Sequence, residues 1–126
     1  MNIVFFKPTA SAGKIKCTIH RNGKLGFSKA AIDNLGITLG KYAKLGFDEE
    51  DKTDKSFYLV IQESPDDETF KINKAGAYYY LNTKNLFDEL NLDYLRKKII
   101  YDIQEIKNDY SDLYKLKKRE IIREKS

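Results

Sequence analysis

Two stretches of this chain, AIDNLGI at 31–37 and LFDELNL at 86–92, align position for position. Ile32, Asp33, Leu35 and Ile37 fall on Phe87, Asp88, Leu90 and Leu92. Their surroundings align too. LGFD (45–48) matches IIYD (99–102), and FYLVI (57–61) matches LYKLK (113–117), with Tyr58 over Tyr114. A tandem repeat limits the fold more than any single motif does. Each half has too little core to stand alone, and two halves can close over a shared one. The competing explanation is that two short amphipathic helices look alike by chance.

The periodicity within each half fills in the unit. Alternation predicts strands at about 14–21 and 23–27, and Ser28 is a good N-cap for a helix at about 28–35, ended by Gly36. Strands follow at about 42–49 and 56–63, across the wholly polar loop DEEDKTDK. The second half reads as a hairpin of TFKINKAG and AYYYLN, a helix TKNLFDELNL capped by Thr83 or Asn82, and a strand KKIIYDIQ. The expected fold class is α+β, with two tandem ββαββ repeats forming a pseudo-two-fold small barrel or sheet with two short helices. The domain is single, 1–126, with repeat one at about 14–63, repeat two at about 69–118 and a frayed basic tail at 119–126. One segment resists. Ile103, Ile106, Tyr110, Leu113 and Leu116 recur at helical spacing, whereas the repeat requires a loop and then a strand at 112–118, and the strand is the expectation.

The net charge of +4 is unevenly spread. Residues 1–32 carry six Lys or Arg and no acid, and residues 33–114 hold seventeen acids against eleven bases. The last twelve residues return to +4. A basic end suits a polyanion partner, although lysines also simply solvate edges and tails. No apolar run reaches the roughly 20 residues of a membrane helix, and no basic n-region precedes VFF. With Cys17 as the lone cysteine no internal disulfide can form, which fits a reducing cytoplasm.

The stretch NGKLGFSKAAIDNLGITLGKYAKLGFDEE resembles the AbrB/SpoVT-type swapped-hairpin family of DNA-binding proteins. Gly23-Lys24 stands at that family's Gly-Arg corner and Leu35-Gly36-Ile37 at its helix end. Gly40-Lys41 falls at its Gly-Asp position and Asp48-Glu49 at its acidic close. The resemblance covers about residues 14–62, and more faintly 70–118. It implies an interlaced barrel of two units, here within one chain as in the duplicated relatives of MraZ type, and it implies DNA binding. Ser28 replaces the family's Pro, and Ile32 and Asp33 occupy the positions of its basic helix pair. Only Lys24 inherits a basic position.

For catalysis the chain offers one His and one Cys, three residues apart on a strand and so on opposite faces. No phosphate loop, zinc spacing or nucleophile elbow occurs. The acids 48, 49, 50, 51 and 54 lack a calcium loop's central Gly and closing Glu. The expectation is a non-enzymatic protein with no cofactor, metal or small-molecule substrate. Both predicted hairpins, 14–29 and 69–84, lack acids. They present Lys14, Lys16, Arg21, Lys24 and Lys29, and Lys71, Lys74 and Lys84, as a candidate nucleic-acid surface, more readily for duplex DNA. Tyr78-Tyr79-Tyr80 opens a single-strand alternative, in which tyrosines stack on bases, although alternation would let Tyr78 and Tyr80 face the core. A protein-interaction or assembly module, with Tyr and Phe at a homodimer face, is the other reading.

Overall fold

The computed structural model describes residues 1–5, 14–106 and 113–123. Nine strands and two helices follow one another among them: β1 Lys16–Ile19, β2 Leu25–Phe27, α1 Lys29–Leu35, β3 Tyr42–Gly46, β4 Phe57–Gln62, β5 Thr69–Lys71, β6 Asn73–Ala75, β7 Tyr78–Leu81, α2 Lys84–Glu89, β8 Lys97–Ile106 and β9 Leu113–Ile122. All pairings are antiparallel, in the order β5-β3-β4-β9-β8-β1-β2-β7-β6. The two ends of that order, β5 and β6, are joined through the single buried residue Ile72. The sheet is therefore a nearly closed barrel. No helix among the described residues is long and apolar enough to cross a membrane.

Strand alternation sends one row of side chains inward. Cys17 and Ile19, Leu25 and Phe27, Ala43, Leu59, Leu81, Ile99 and Tyr101, and Leu116 form one buried cluster. Phe87 of α2 and Leu35 of α1 close it from outside the sheet. Residues from both halves of the chain meet in this core, so neither half contains it.

Ser28 fixes how α1 leaves the sheet. Its Oγ accepts from Ala31 N–H at 3.2 Å as the N-cap and from Lys16 N–H at 3.1 Å. The hydroxyl also donates to Lys14 O at 2.9 Å, and the Ser28 backbone N–H donates to Lys16 O at 2.9 Å. A proline here would supply neither the hydroxyl nor the N–H. Gly36 ends the helix at φ 65°, a left-handed position where glycine carries no Cβ penalty.

Several boundaries differ from the sequence expectation. TFKINKAG is not one hairpin arm. Thr69–Lys71 pairs with Tyr42–Lys44, and only Asn73–Ala75 pairs with β7, the chain bending between them at Ile72. The helix at 84 ends at Glu89, followed by Asn91 at φ 57°. The strand expected at 112–118 is present as part of β9, and the helical stripe through 103–116 is strand where it is described, because Ile103 and Leu116 face each other inside the barrel. Tyr110 lies outside the described residues. The basic tail expected at 119–126 is also corrected: residues 119–122 are the last four of β9, paired with Lys97–Ile100. An ion pair from Arg119 to Asp102 holds this part in place. Residues 124–126 of that tail lie outside the described residues.

Candidate nucleic-acid interface

The two hairpins expected to carry basic residues lie side by side. Leu25 pairs with Leu81 and Gly26 with Tyr80, so β1, β2, β7 and β6 form one continuous four-stranded surface. Because Leu25 and Leu81 point inward, Gly26, Tyr78 and Tyr80 share the outer face. Tyr79 packs against the core instead. The sequence reading that put Tyr78 and Tyr80 on the core side is thus reversed.

On that outer face the aromatic rings are ordered by their neighbours. Tyr78 and Tyr80 stack with centroids 5.3 Å apart and planes at 19°. His20 meets Tyr78 edge-on at 5.4 Å. The Lys24 ammonium sits 4.5 Å above the Tyr80 ring, a cation–π distance. Gly26 makes room for this group, since a Cβ there would lie 2.3 Å from the Tyr78 hydroxyl and 2.6 Å from His20 Nε2. Burial and the positive charges of Arg123 and Lys98 hold the His20 pKa below its usual value.

The corner that carries Lys24 is braced from below. His20 N–H donates to Lys24 O at 2.9 Å, Gly23 N–H to His20 O at 2.8 Å, and Lys24 N–H to Asn22 Oδ1 at 3.0 Å. Gly23 takes φ 81° and is buried against the start of α2. The buried Thr83 hydroxyl donates to Gly23 O at 2.9 Å. Thr83 is the N-cap position of α2 but makes no side-chain cap bond, its hydroxyl being turned to this link instead. The hairpin tip is therefore not a fully solvated loop: Arg21 and Asn22 are exposed, whereas Gly23 is not.

The eight candidate cations are not one patch. Lys24 joins the tyrosines, with exposed Arg21 at the same turn and half-buried Lys16 on the neighbouring strand. Lys14 and Lys29 are exposed at the two ends of the Ser28 node. Lys74 is opposite Tyr79 and lies 5.4 Å from its ring, on the other side of the strand from Tyr80. Lys71 pairs with Tyr42 at the far end of the strand order. Lys84 is spent on Asp88 at 2.7 Å. Sequence reasoning missed His20, Lys98 and Arg123 as neighbours of this surface, which only the fold brings together.

Cys17 and His20 do point to opposite faces. Cys17 is wholly buried, and its thiol is pushed up by burial and by the Asp102 charge. Among the described residues no three His, Cys, Asp or Glu side chains gather in a way that could hold a metal. Comparison with family models, curated proteins and solved structures finds no match to this chain.

Proposed function

We propose that this chain is a non-enzymatic nucleic-acid-binding protein whose contact surface is the outer face of β1, β2 and β7. The observation that carries the reading is the stacked Tyr78–Tyr80 pair beside Lys24, on a surface whose two hairpins contain no acid. Aromatic faces next to cations suit bases and phosphates together. The hairpins form one sheet and are not set a groove apart, and the tyrosines face outward. Both features favour a single strand over the duplex that the AbrB-type resemblance implies.

A duplicated swapped-hairpin origin belongs to the same proposal. Exchanging β1, β2, β3 and β4 with the bent β5–β6 strand, β7, β8 and β9 turns each observed pairing into another. The β1–β2 pairing becomes β6–β7, β3–β4 becomes β8–β9, and β1–β8 becomes β5–β3, while β2–β7 and β4–β9 map onto themselves. Inward-facing residues then correspond as Ala43 with Tyr101 and Leu59 with Leu116. That register moves the alignment off Tyr58 over Tyr114, since Tyr58 bonds Asp54 and Tyr114 packs against the core.

The test is an anisotropy titration of labelled oligothymidylate, and of a duplex of equal length, at low salt. The single strand is expected to bind more tightly, and Tyr80→Ala to weaken it about five- to hundredfold, the worth of one stacked base. Arg21→Glu with Lys24→Glu should weaken binding to every sequence and lower the salt slope by about one unit per residue. Binding to neither DNA nor RNA removes the reading. Duplex binding indifferent to Tyr80→Ala returns the partner to double-stranded DNA.

A further inference from the structure

On another part of the barrel, a cleft of about 930 Å³ opens between the β3–β4 loop and α2. Leu45, Phe57, Leu86, Leu92 and Tyr101 line it. Phe47 and Leu90 stand at its lip, 73% and 47% exposed. Tyr101 is wholly buried, yet its hydroxyl has no hydrogen-bond partner among the described residues. A hydroxyl in that state is a donor without an acceptor.

The lip is acidic and held in shape. Asp48, Glu49, Glu50, Asp51 and Asp54 border the cleft, with Lys52 and Lys55 between and beside them. Asp48 accepts from Glu50 N–H, Asp51 from Thr53 N–H, and Asp54 from Ser56 N–H. The Ser56 bonds, with help from Tyr58 and Lys115, bring the Asp54 carboxyl down to about 2, so it is charged at any physiological pH. An occupant must therefore be apolar along its length and positive at its end.

The chain carries such a segment. Ile3, Val4 and Phe5 are 63%, 80% and 84% exposed. Lys7 and Lys14 follow them, and no acid occurs before Asp33. We propose that the segment around Ile3–Phe5 of one copy seats in the β3–β4/α2 cleft of a second copy. The exchange is reciprocal, so that a two-fold dimer fills both clefts. The apolar side chains cover the cleft wall, and Lys7, which follows them, meets the acidic lip. The second copy's body also covers Phe47 and Leu90, large apolar side chains exposed at the lip.

The experiment is sedimentation velocity over a concentration series. It compares the full chain, a chain lacking residues 2–6, and the exposed-site variants Phe47→Asp and Leu90→Asp. Circular dichroism and the thermal midpoint verify that each folds. The full chain should dimerise, and the truncation and each cleft variant should weaken the dimer at least about tenfold. A synthetic peptide of residues 1–8 should shift the Tyr101 and Phe57 resonances of the truncated chain, but not when Phe47→Asp is also present. A full chain that is monomeric at every concentration overturns the proposal, even if the peptide binds. So does a dimer that survives the truncation or the folded cleft variants.

Discussion

Gly23 joins the first hairpin to the second helix, and its side chain must be hydrogen. A Cβ there would lie 2.7 Å from Lys84 Cβ and 2.9 Å from Lys84 Cα, and the backbone is already at φ 81°. Gly23→Ala therefore adds left-handed strain to a clash with backbone that cannot swing aside. The expected cost is about 1–3 kcal/mol, seen as a lowered thermal midpoint with the fold retained. His20 gives a second residue-scale effect. Its pKa is lowered in the folded chain, so just below the ordinary value of 6.5 the unfolded chain takes the proton first. The stability this contributes is complete above pH 6.5 and is lost as pH falls through the folded value. Thermal midpoints between pH 8 and pH 5 should fall less steeply for His20→Gln than for the wild-type chain. Equal slopes would mean that His20 is not the titrating group.

At the scale of elements, the short helices and central strands were legible because their signals are local. Ser28, Gly36 and the spacing of Ala31 and Leu35 define α1 without reference to anything distant. The errors fell where a partner strand decides. Residues 69–76 read as one hairpin arm, but Ile72 turns inward and hands the chain from β3 to β7. Residues 119–122 read as a tail because Lys118, Arg119 and Glu120 are charged. In the fold Glu120 reaches Lys97 at 3.2 Å and Lys118 at 2.8 Å, while Arg119 reaches Asp102. Opposite charges along and across paired strands satisfy one another, and no window of one sequence reveals that. Ending the chain at Lys118 should consequently destabilise it by about 2–4 kcal/mol, a few ladder hydrogen bonds' worth, measured by urea denaturation. An unchanged midpoint would restore the frayed tail.

For the whole molecule, the small barrel with two helices was foreseeable from the strand alternation and the two short helix patterns, whereas the candidate surface was only half visible. The acid-free hairpins stood out, and Lys24 was placed by its corner. The side on which Tyr78 and Tyr80 would fall depended on Leu25 meeting Leu81, a pairing 56 residues apart in sequence. The same interlacing governs how the molecule comes into being. Cys17 finds its neighbour Tyr101, and Phe57 finds Leu116, only when almost the entire chain exists. Loop closure over such separations is slow, because its entropy is lost before contacts repay it. A nascent chain halted before β8 would carry β1 with an unpaired edge. Such a chain depends on rapid completion of synthesis, or on a chaperone, to escape sticking to its neighbours.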